Sequence, residues 1–143
     1  MKNINPISAG NHKKFNSLII IDDEPDCCFL IKCFNERWKI ATHFYEFNTV
    51  DEALIFIENN LEKKLIGKEN IFLVDLNLPV KNGYDFLDAF RDRFLMSFKP
   101  LIFVLTGSDR IQDKVRASKH DIDGYLLKPF TEKKLMAMLS ITT

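Results

Sequence analysis

The sequence predicts an α/β protein built on a doubly wound, five-stranded parallel sheet. Short apolar runs alternate with helical patterns five times along the chain, and such runs are typical of strands that are buried on both faces. The chain has 143 residues, a length that suits one domain. Strand–helix alternation of this kind requires right-handed crossovers, which place helices on both faces of the sheet.

Five segments are predicted to form the strands. Four of them are short and apolar throughout, which predicts burial on both faces. They are residues 18–21, 71–74, 101–105 and 125–127. The fifth, residues 40–45, carries more polar side chains, so we place it at an edge of the sheet.

The first two helices are predicted from apolar side chains that recur at steps of three and four. In the first helix we expect this stripe to face the core. It consists of Cys27, Leu30, Ile31, Phe34 and Trp38. Residues 49–52 read as a capping box that begins the second helix. The apolar face of that helix carries Leu54, Ile57, Leu61 and Leu65.

Three further helices complete the pattern. The third follows Gly83 and carries Leu87, Phe90 and Phe94. The fourth is predicted to start at Ser108 or Asp109, with Ile111 and Val115 as its chief apolar anchors. The fifth is predicted to be capped by Thr131. Its core residues are Leu135, Met138 and Leu139.

The charge balance excludes one class of function. Twenty Lys and Arg residues offset twenty Asp and Glu residues, whereas nucleic-acid and anionic-membrane binders usually carry a basic excess. No apolar run approaches the length of a membrane span. We therefore expect no nucleic-acid partner and no membrane partner. Three cysteines without a Cys-x-x-Cys pair predict free thiols in a reducing compartment, so a cytoplasmic location is expected.

The chain is expected to divide into a poorly ordered N-terminal tail, residues 1–16, and one domain, residues 17–143. The tail contains three lysines, no acid and several Asn, Ser and Gly residues. It reads either as a solvated leader or as a basic tether. The fifth helical pattern reaches the C-terminus, so no second domain is expected.

Polar side chains stand where four of the predicted strands end. Asp22 and Asp23 follow the first strand, and Asp75 follows the third. Thr106 ends the fourth strand and Lys128 follows the fifth. Each has an ordinary structural explanation when taken alone, such as helix capping or strand-end hydrogen bonding. Because the carboxyl ends of parallel strands share one edge, where ligands bind, their combination predicts a functional site.

The charges of this cluster constrain its chemistry. Two carboxylates 4 Å apart repel by roughly 4 kcal/mol at an effective dielectric near 20, so a proton or a cation must intervene. Oxygen ligands favour a hard cation, and Mg²⁺ is the expected cofactor. An aspartate beside a metal and an ammonium group is a plausible nucleophile toward phosphorus. Lys128 and Thr106 would then stabilise the oxygens of the transferred group.

Four motifs at these strand ends also carry a resemblance to a known family. They are LIIIDDEPD at residues 18–26, FLVDLNLP at 72–79, VLTG at 104–107 and GYLLKPF at 124–130. Together and in this order they resemble the receiver domain of bacterial two-component response regulators of the stand-alone type. The resemblance runs from about residue 18 to the C-terminus. It implies a flavodoxin-like sheet with strand order 2-1-3-4-5.

The resemblance also implies a role for each site residue. Asp75 would accept a phosphoryl group from a sensor histidine kinase or a histidine phosphotransfer protein. Asp23, Asp75 and the backbone carbonyl of Asn77 would bind Mg²⁺, and Asp22 would assist through water. The protein would be a signalling phosphoacceptor that catalyses only its own phosphorylation and dephosphorylation.

The remaining implied roles concern switching. Lys128 would contact the phosphoryl group, Thr106 would move to bond it, and Tyr125 would rotate inward behind Thr106. A cis peptide bond is implied before Pro129. The surface of helix four, strand five and helix five would change and bind a downstream protein target, and a phosphorylation-dependent dimer is a further implied partner.

Some positions depart from the family or stay unexplained by the sequence. Lys81 and Asn82 stand where the family often has Met and Asp, which predicts an altered loop after the phosphoacceptor strand. Asp121 replaces a frequent Gly at the end of helix four, where we expect it to tolerate a left-handed turn. The neighbouring His120 has no assigned role. Loop acids at residues 121–123 are read as ordinary surface acids and not as a second metal site.

Four questions stay open. A phosphatase with an Asp nucleophile would carry a second Asp as its acid, but that place is Asn77, which cannot donate a proton to a leaving group. A phosphate-independent interaction module would not need Asp75. Within the receiver interpretation, the protein is either an effector or a phosphorelay intermediate. The charged face of helix four reads either as a docking surface or as a solvated face.

Overall fold

The computed structural model describes residues 14–142. Five parallel strands form one sheet in the order β2-β1-β3-β4-β5, which confirms the predicted fold class. They are β1 (Phe15–Ile21), β2 (Ala41–Phe47), β3 (Asn70–Asp75), β4 (Leu101–Thr106) and β5 (Gly124–Leu127). The polar strand β2 lies at an edge, as predicted. The other edge is β5, which is half-buried and not buried on both faces as its apolar sequence suggests, because β4 is its only neighbour.

Five α-helices connect or follow these strands. They are α1 (Pro25–Trp38), α2 (Val50–Asn60), α3 (Gly83–Phe94), α4 (Ile111–Ser118) and α5 (Glu132–Thr142). A π-helical segment, Leu61–Leu65, extends α2. The cap at Thr131 forms as predicted, since Thr131 Oγ1 accepts from the Lys134 N–H at 3.2 Å. Of the capping box predicted at residues 49–52, one half forms: Thr49 Oγ1 accepts from the Glu52 N–H at 3.2 Å, whereas the Glu52 carboxylate accepts from the Asn48 N–H at 3.3 Å, one residue before the cap.

Alternate side chains of the central strands pack on opposite faces of the sheet. One core lies between the sheet and helices α2, α3 and α4, and a second lies between the sheet and helices α1 and α5. Phe72 and Val74 of β3 belong to the first core, whereas Ile71 and Leu73 belong to the second. Apolar side chains therefore cover both faces of the inner strands, and the buried polar side chains of these strands lie toward the strand ends.

Helix α4 differs most from its prediction. It begins at Ile111, after Arg110, and not at Ser108 or Asp109. Ile111 and Val115 are 77% and 49% exposed, and the buried residue of this helix is Ala117. Two residues correspond to about 200° of helical rotation, so Val115 points away from the side on which Ala117 packs. The predicted anchors are therefore surface residues.

Two smaller differences concern the first strand and the first helix. Strand β1 begins at Phe15, which is buried, so the sheet starts two residues before the expected boundary at residue 17. Residues 1–13 of the expected tail lie outside the described residues. In α1, Ile31 is buried as predicted, but Leu30 is exposed, because the helix covers the sheet with a narrower stripe than its sequence suggests.

A buried polar cluster joins β1 and β3 at the end of the sheet opposite to the predicted site. The Ser17 hydroxyl donates to Asn70 Oδ1 at 2.5 Å, and the Asn70 amide group donates to the carbonyl of Leu65 at 3.1 Å. Ser17 and Asn70 are paired in the parallel register, as are Ile21 and Val74 at the other end. The cluster therefore contributes to the register in which these two strands pair.

Among residues 14–142, no helix is both long and apolar enough to cross a lipid bilayer.

Candidate functional site

The sheet brings three carboxylates together at its carboxyl edge. Asp22 directly follows β1 and is buried, Asp75 ends β3 and is buried, and Asp23 is exposed. One carboxylate oxygen from each residue lies within 4.8 Å of the others. Strands β1 and β3 pair side by side, so their two ends reach the same level. The predicted convergence of these three residues is thus present in the structure.

Lys128 lies among these carboxylates. Its Nζ is 2.9 Å from Asp22 Oδ2 and 3.1 Å from Asp75 Oδ2, and it also pairs with Glu24 Oε1. The Lys128–Pro129 peptide bond is cis, as the resemblance implied. Burial alone would lower the pKa of Lys128, but its hydrogen bonds and ion pairs with the surrounding carboxylates raise it above its ordinary value. The ammonium group therefore stays charged.

Both oxygens of Asp75 are oriented by neighbours. The backbone N–H of Asn77 donates to Oδ1 at 3.0 Å, and Lys128 Nζ donates to Oδ2 at 3.1 Å. Burial and, to a smaller extent, the charge of Asp22 raise the pKa of Asp75, while the two hydrogen bonds lower it, and the net effect is a rise from 3.8 to about 6. The result is a fixed carboxylate that is more basic than an ordinary aspartate.

The edge fits a hard divalent cation. Asp22 Oδ2 is buried and, among the described residues, has no partner in hydrogen-bond geometry, although Lys128 Nζ lies at ion-pair distance. A buried oxygen in this condition has capacity for a further positive ligand. The donor set of carboxylate oxygens is the kind that Mg²⁺ or Mn²⁺ prefers. Asp22, Asp23 and Asp75 are the described residues that could hold the ion.

Thr106, Ser108 and Tyr125 form a second part of the edge. Thr106 is buried, and its Oγ1 accepts the Ser108 N–H at 3.2 Å. The Tyr125 hydroxyl donates to the Ser108 carbonyl at 2.7 Å. The Ser108 hydroxyl donates to Asp113 of α4 and lowers the pKa of that carboxyl. Hydrogen bonds therefore connect the end of β4 with both α4 and β5.

The loop after Asp75 is closed by Gly83 at the start of α3. A Cβ atom at Gly83 would lie 2.5 Å from the carbonyl oxygen of Asp75 and 2.8 Å from Cα of Leu76. These contacts are with backbone atoms, which cannot rotate away. The absence of a side chain at Gly83 thus allows α3 to begin against the end of β3.

The departures Lys81 and Asn82 have structural roles in this loop. Lys81 pairs with Asp51 of α2 at 2.6 Å, and Asn82 forms a capping box with Asp85. This capping box was not predicted, although its pattern, an Asn followed three residues later by an acid, is visible in the sequence. Between Pro79 and Lys81, the exposed Val80 has a left-handed backbone with φ of 65°, a conformation that is unfavourable for a β-branched residue.

The turn after α4 also differs from its expectation. Asp121 does not have a positive φ, so no left-handed tolerance is needed there. His120 is explained by its neighbours: its Nε2 lies 3.1 Å from Asp88 Oδ1 of α3, and its ring packs against Tyr84. The Asp123 carboxylate accepts the Ile102 N–H at 2.8 Å. These contacts give the loop a structural role.

The structure therefore assembles Asp22, Asp23, Asp75 and Lys128 into one cluster. Thr106 ends the neighbouring strand, and the Tyr125 hydroxyl is held by Ser108. Asn77 contributes its backbone N–H to Asp75, and its side chain is exposed. No role was predicted for Glu24, which contacts Lys128. Its position directly after the acid pair places it near the edge of the sheet but does not indicate this contact.

An open parallel sheet with its reactive groups at the carboxyl edge defines the class of doubly wound α/β proteins. Comparison with protein families then identifies this chain more closely. The family model of the response regulator receiver domain matches residues 18–140. The chain therefore belongs to the response regulator receiver domain family.

Similar solved structures have the same fold. A two-component response regulator from Cytophaga hutchinsonii superposes with a TM-score of 0.78 at 23% identity, over 90% of this chain and 96% of that one. The BeF3-activated N-terminal receiver domain of RstA from Klebsiella pneumoniae gives a TM-score of 0.70 at 21% identity, over 88% and 97% of the two chains. The Mn(2+)-bound form of the response regulator Rcp1 gives 0.63 at 24% identity, over 87% and 88%.

Curated relatives match over a shorter stretch. The cell cycle response regulator CtrA of Brucella ovis is 40% identical over 70 residues, which are 49% of this chain and 29% of that protein. CtrA of Brucella abortus matches to the same extent. The matched region thus spans less than a third of these relatives.

Proposed function

We propose that this receiver domain accepts a phosphoryl group on Asp75 from a sensor histidine kinase or a histidine phosphotransfer protein, in a Mg²⁺-dependent reaction. The observation that carries the proposal is the environment of Asp75. Its carboxylate is buried, bound by Lys128 and by the Asn77 N–H, and has a pKa raised to about 6. At neutral pH, which is above this pKa, the carboxylate is largely ionised. It is also oriented and more basic than an ordinary aspartate, and these are the properties of a nucleophile.

In the proposed phosphoryl transfer, an oxygen of Asp75 forms a bond to phosphorus. The P–N bond of the donor phosphohistidine breaks, and its electron pair leaves with the imidazole. Lys128 Nζ, 3.1 Å from Asp75 Oδ2, donates to an oxygen of the transferred group. Thr106 would supply a second donor once its hydroxyl turns from Ser108. These groups act by positioning and charge stabilisation, which dominate phosphoryl transfer.

The proposed cofactor would be held by Asp22, Asp23 and Asp75, with the backbone carbonyl of Asn77 as a further ligand. When bound, Mg²⁺ supplies positive charge that neutralises the carboxylates and the oxygens of the phosphoryl group. Among the described residues Asp22 Oδ2 has an ion pair but no hydrogen bond, and this capacity, together with the oxygen-only donor set, supports the assignment. The Mn(2+)-bound form of Rcp1, a similar fold, is consistent with it.

The assignment is tested by incubating the protein with Mg²⁺ and acetyl phosphate and measuring its intact mass. We expect one added phosphoryl group in wild type and none in Asp75→Asn. Asp92→Asn is the matched control, because Asp92 is an exposed carboxylate that pairs with Arg91 away from the cluster. Circular dichroism should show that all three proteins are folded. Undiminished labelling of Asp75→Asn would refute the assignment.

Phosphorylation is proposed to shift the surface of α4, β5 and α5 between two states. Hydrogen bonds from Thr106 through Ser108 to Asp113 and Tyr125 support this path. Reversing a 1:99 equilibrium to 99:1 requires about 5.5 kcal/mol, whereas one hydrogen bond to a charged group contributes about 1.5–3 kcal/mol. Contacts of Lys128 and repacking of Tyr125 must therefore share the work with Thr106.

Two roles are compatible with this switch. The protein is either an effector that binds a target when phosphorylated or a phosphorelay intermediate that passes its phosphoryl group onward. They are separated by mixing the phosphorylated protein with a purified histidine phosphotransfer protein. Transfer of label to the histidine partner would assign the relay. Retention of label with phosphorylation-dependent binding of another protein would assign the effector. Single-domain action, a phosphorylation-dependent dimer, a cytoplasmic location and the absence of nucleic-acid partners stay predictions.

A further inference from the structure

Glu24 makes a contact that the proposed reaction does not use. It lies two residues after Asp22, its backbone N–H donates to Asp22 Oδ1 at 2.9 Å, and its side chain pairs with Lys128. The side chain is 60% exposed, whereas Asp22 and Asp75 are buried. Glu24 thus reaches the ammonium group from the solvent side of the cluster.

The contact occupies part of the hydrogen-bonding capacity of Lys128. A lysine ammonium group has three N–H donors; Lys128 donates to Glu24 and to Asp75 Oδ2, and the Asp22 carboxylate lies at ion-pair distance from its Nζ. An incoming phosphoryl oxygen must therefore compete with these three carboxylates for Lys128. Asp22 is held by its burial and by backbone bonds, and Asp75 is the reacting group. The exposed Glu24 is the partner whose release requires the least rearrangement.

The negative charge of Glu24 also opposes the binding of a phosphoryl donor. Phosphoryl donors are anions, and the cluster already presents Asp22, Asp23 and Asp75 against one lysine. Glu24 adds a further negative charge on the side that faces solvent. Like charges at several ångströms repel noticeably in partly hydrated protein, so an approaching phosphoryl group meets both a competitor for Lys128 and an added repulsion.

We propose that Glu24 is an autoinhibitory positioning residue, which holds Lys128 in the unphosphorylated protein and slows phosphoryl transfer to Asp75. This inference rests on the proposed function. Glu24 touches neither phosphorus nor the reacting oxygens and acts through Lys128. It would restrain labelling by small donors diffusing to the site, whereas a docked protein donor could displace the Glu24 side chain as it binds.

The test measures the initial rate of Asp75 phosphorylation by acetyl phosphate with Mg²⁺, at a donor concentration well below saturation. Glu24→Gln keeps the size of the side chain and removes its charge. We expect its rate to rise roughly threefold or more, as one unit charge at this range implies. Asp26→Asn is the matched control, because it removes an exposed acid two residues further along and has no ion pair with Lys128 among the described contacts. Its rate should stay at the wild-type value.

A second measurement examines the contact without any phosphorylation. The free energy of unfolding is measured for wild type, Glu24→Gln, Lys128→Met and the double variant, and the coupling between the two positions is calculated. A favourable coupling is expected for Glu24 with Lys128 and none for Asp26 with Lys128. Absence of coupling overturns the contact, whatever the rates are.

The outcomes separate this inference from the proposed function. An unchanged or lower rate in Glu24→Gln overturns the inference, while labelled wild type leaves the function of Asp75 intact. Equal acceleration by Glu24→Gln and Asp26→Asn would mean a general charge effect and also overturns it. If wild type is not phosphorylated at all, the proposed function fails and this inference fails with it.

Discussion

Asp75 combines two requirements that oppose each other, burial and charge. Its carboxylate is almost fully buried, and this burial raises its pKa to about 6. Lys128 and the Asn77 N–H compensate only in part, since Lys128 is shared with other carboxylates. A carboxylate held in this way costs folding stability, as is common at functional sites.

The first prediction follows from this pKa. A folded pKa of about 6 against an unfolded value near 3.8 means that the folded state binds more protons between these values, so stability falls as the pH rises through them. With a chelator present to remove divalent cations, Asp75→Asn should raise the free energy of unfolding at neutral pH by on the order of 1–3 kcal/mol. This increase should become smaller toward pH 4. Urea unfolding at several pH values measures it, with Asp92→Asn as the control. A loss of stability in Asp75→Asn at neutral pH would contradict it.

The second prediction concerns the thiols beside the cluster. Burial, with the charges of nearby acids, raises the pKa of Cys27 and of Cys28 to about 12. Since the thiolate is the reactive form, these thiols should be unreactive in the folded protein. In a Cys33→Ser variant, labelling by a disulfide reagent near pH 8 should be at least about 100-fold slower than after unfolding in guanidinium. Rapid labelling of the folded variant would show that the two thiols are not protected as described.

At the scale of single elements, α4 and α3 differ strongly. Helix α3 has twelve residues and buries six of them, whereas α4 has eight residues and buries Ala117. Contacts of α4 with α3 are mainly polar: the Arg116 guanidinium lies over the Tyr84 ring at 3.9 Å, and the Tyr84 hydroxyl donates to the Asp113 carbonyl. Helix α4 is therefore held by few apolar contacts, which suits an element that changes position.

The third prediction is that α4 opens before α3. Elements with few buried apolar contacts undergo local opening at lower free energy. Native-state hydrogen exchange should show the amides of α4 exchanging at least about tenfold faster than those of α3, after correction for intrinsic rates. Equal protection of the two helices would mean that α4 opens only with the whole domain.

The fourth prediction concerns the loop between β3 and α3. Val80 is exposed and has a left-handed backbone, a conformation that costs roughly 1–3 kcal/mol for such a residue. Glycine adopts it freely but loses more entropy on folding. Val80→Gly should therefore raise the free energy of unfolding by about 0.5–1 kcal/mol. Val115→Gly, an exposed valine in regular helix, should have the opposite sign, and a loss of stability in both variants would refute the strain at Val80.

At the scale of the whole molecule, the sequence pattern predicted the doubly wound parallel sheet and the convergence at its edge, while the strand order was implied by the resemblance to receiver domains. Buried parallel strands are readable as apolar runs, and polar residues that follow them must meet at one edge, which places Asp22 near Asp75. The orientation of α4 was not predictable in the same way, because a short helix has too few apolar residues to mark its buried side. The pairing of Glu24 with Lys128 joins distant parts of the chain, and nothing in the local pattern specifies it.

The fifth prediction is that a divalent cation stabilises the fold. A ligand that binds only the folded state adds RT ln(1 + [L]/Kd), about 2.7 kcal/mol at one hundred times the dissociation constant. Adding Mg²⁺ should raise the Tm of wild type, and a chelator should reverse the change. Asp23→Asn, which alters an exposed ligand, should lose most of this response, while Asp92→Asn should keep it. A Tm of wild type that is insensitive to Mg²⁺ would contradict the proposed site.

The hydrogen bonds of Asn70 and Ser17 have a consequence for the distant acidic edge. In a strand, successive side chains point to opposite faces, and each residue advances the chain by about 3.3 Å. A slip of one residue between β1 and β3 would move Asp22 along the sheet relative to Asp75 and would reverse the faces of the strand that slips. The hydrogen-bonded pair of Ser17 and Asn70, at the opposite end of the two strands, thus helps to set the distance between Asp22 and Asp75. A single-residue insertion within β1 should disable phosphoryl acceptance while leaving every site residue present in the sequence.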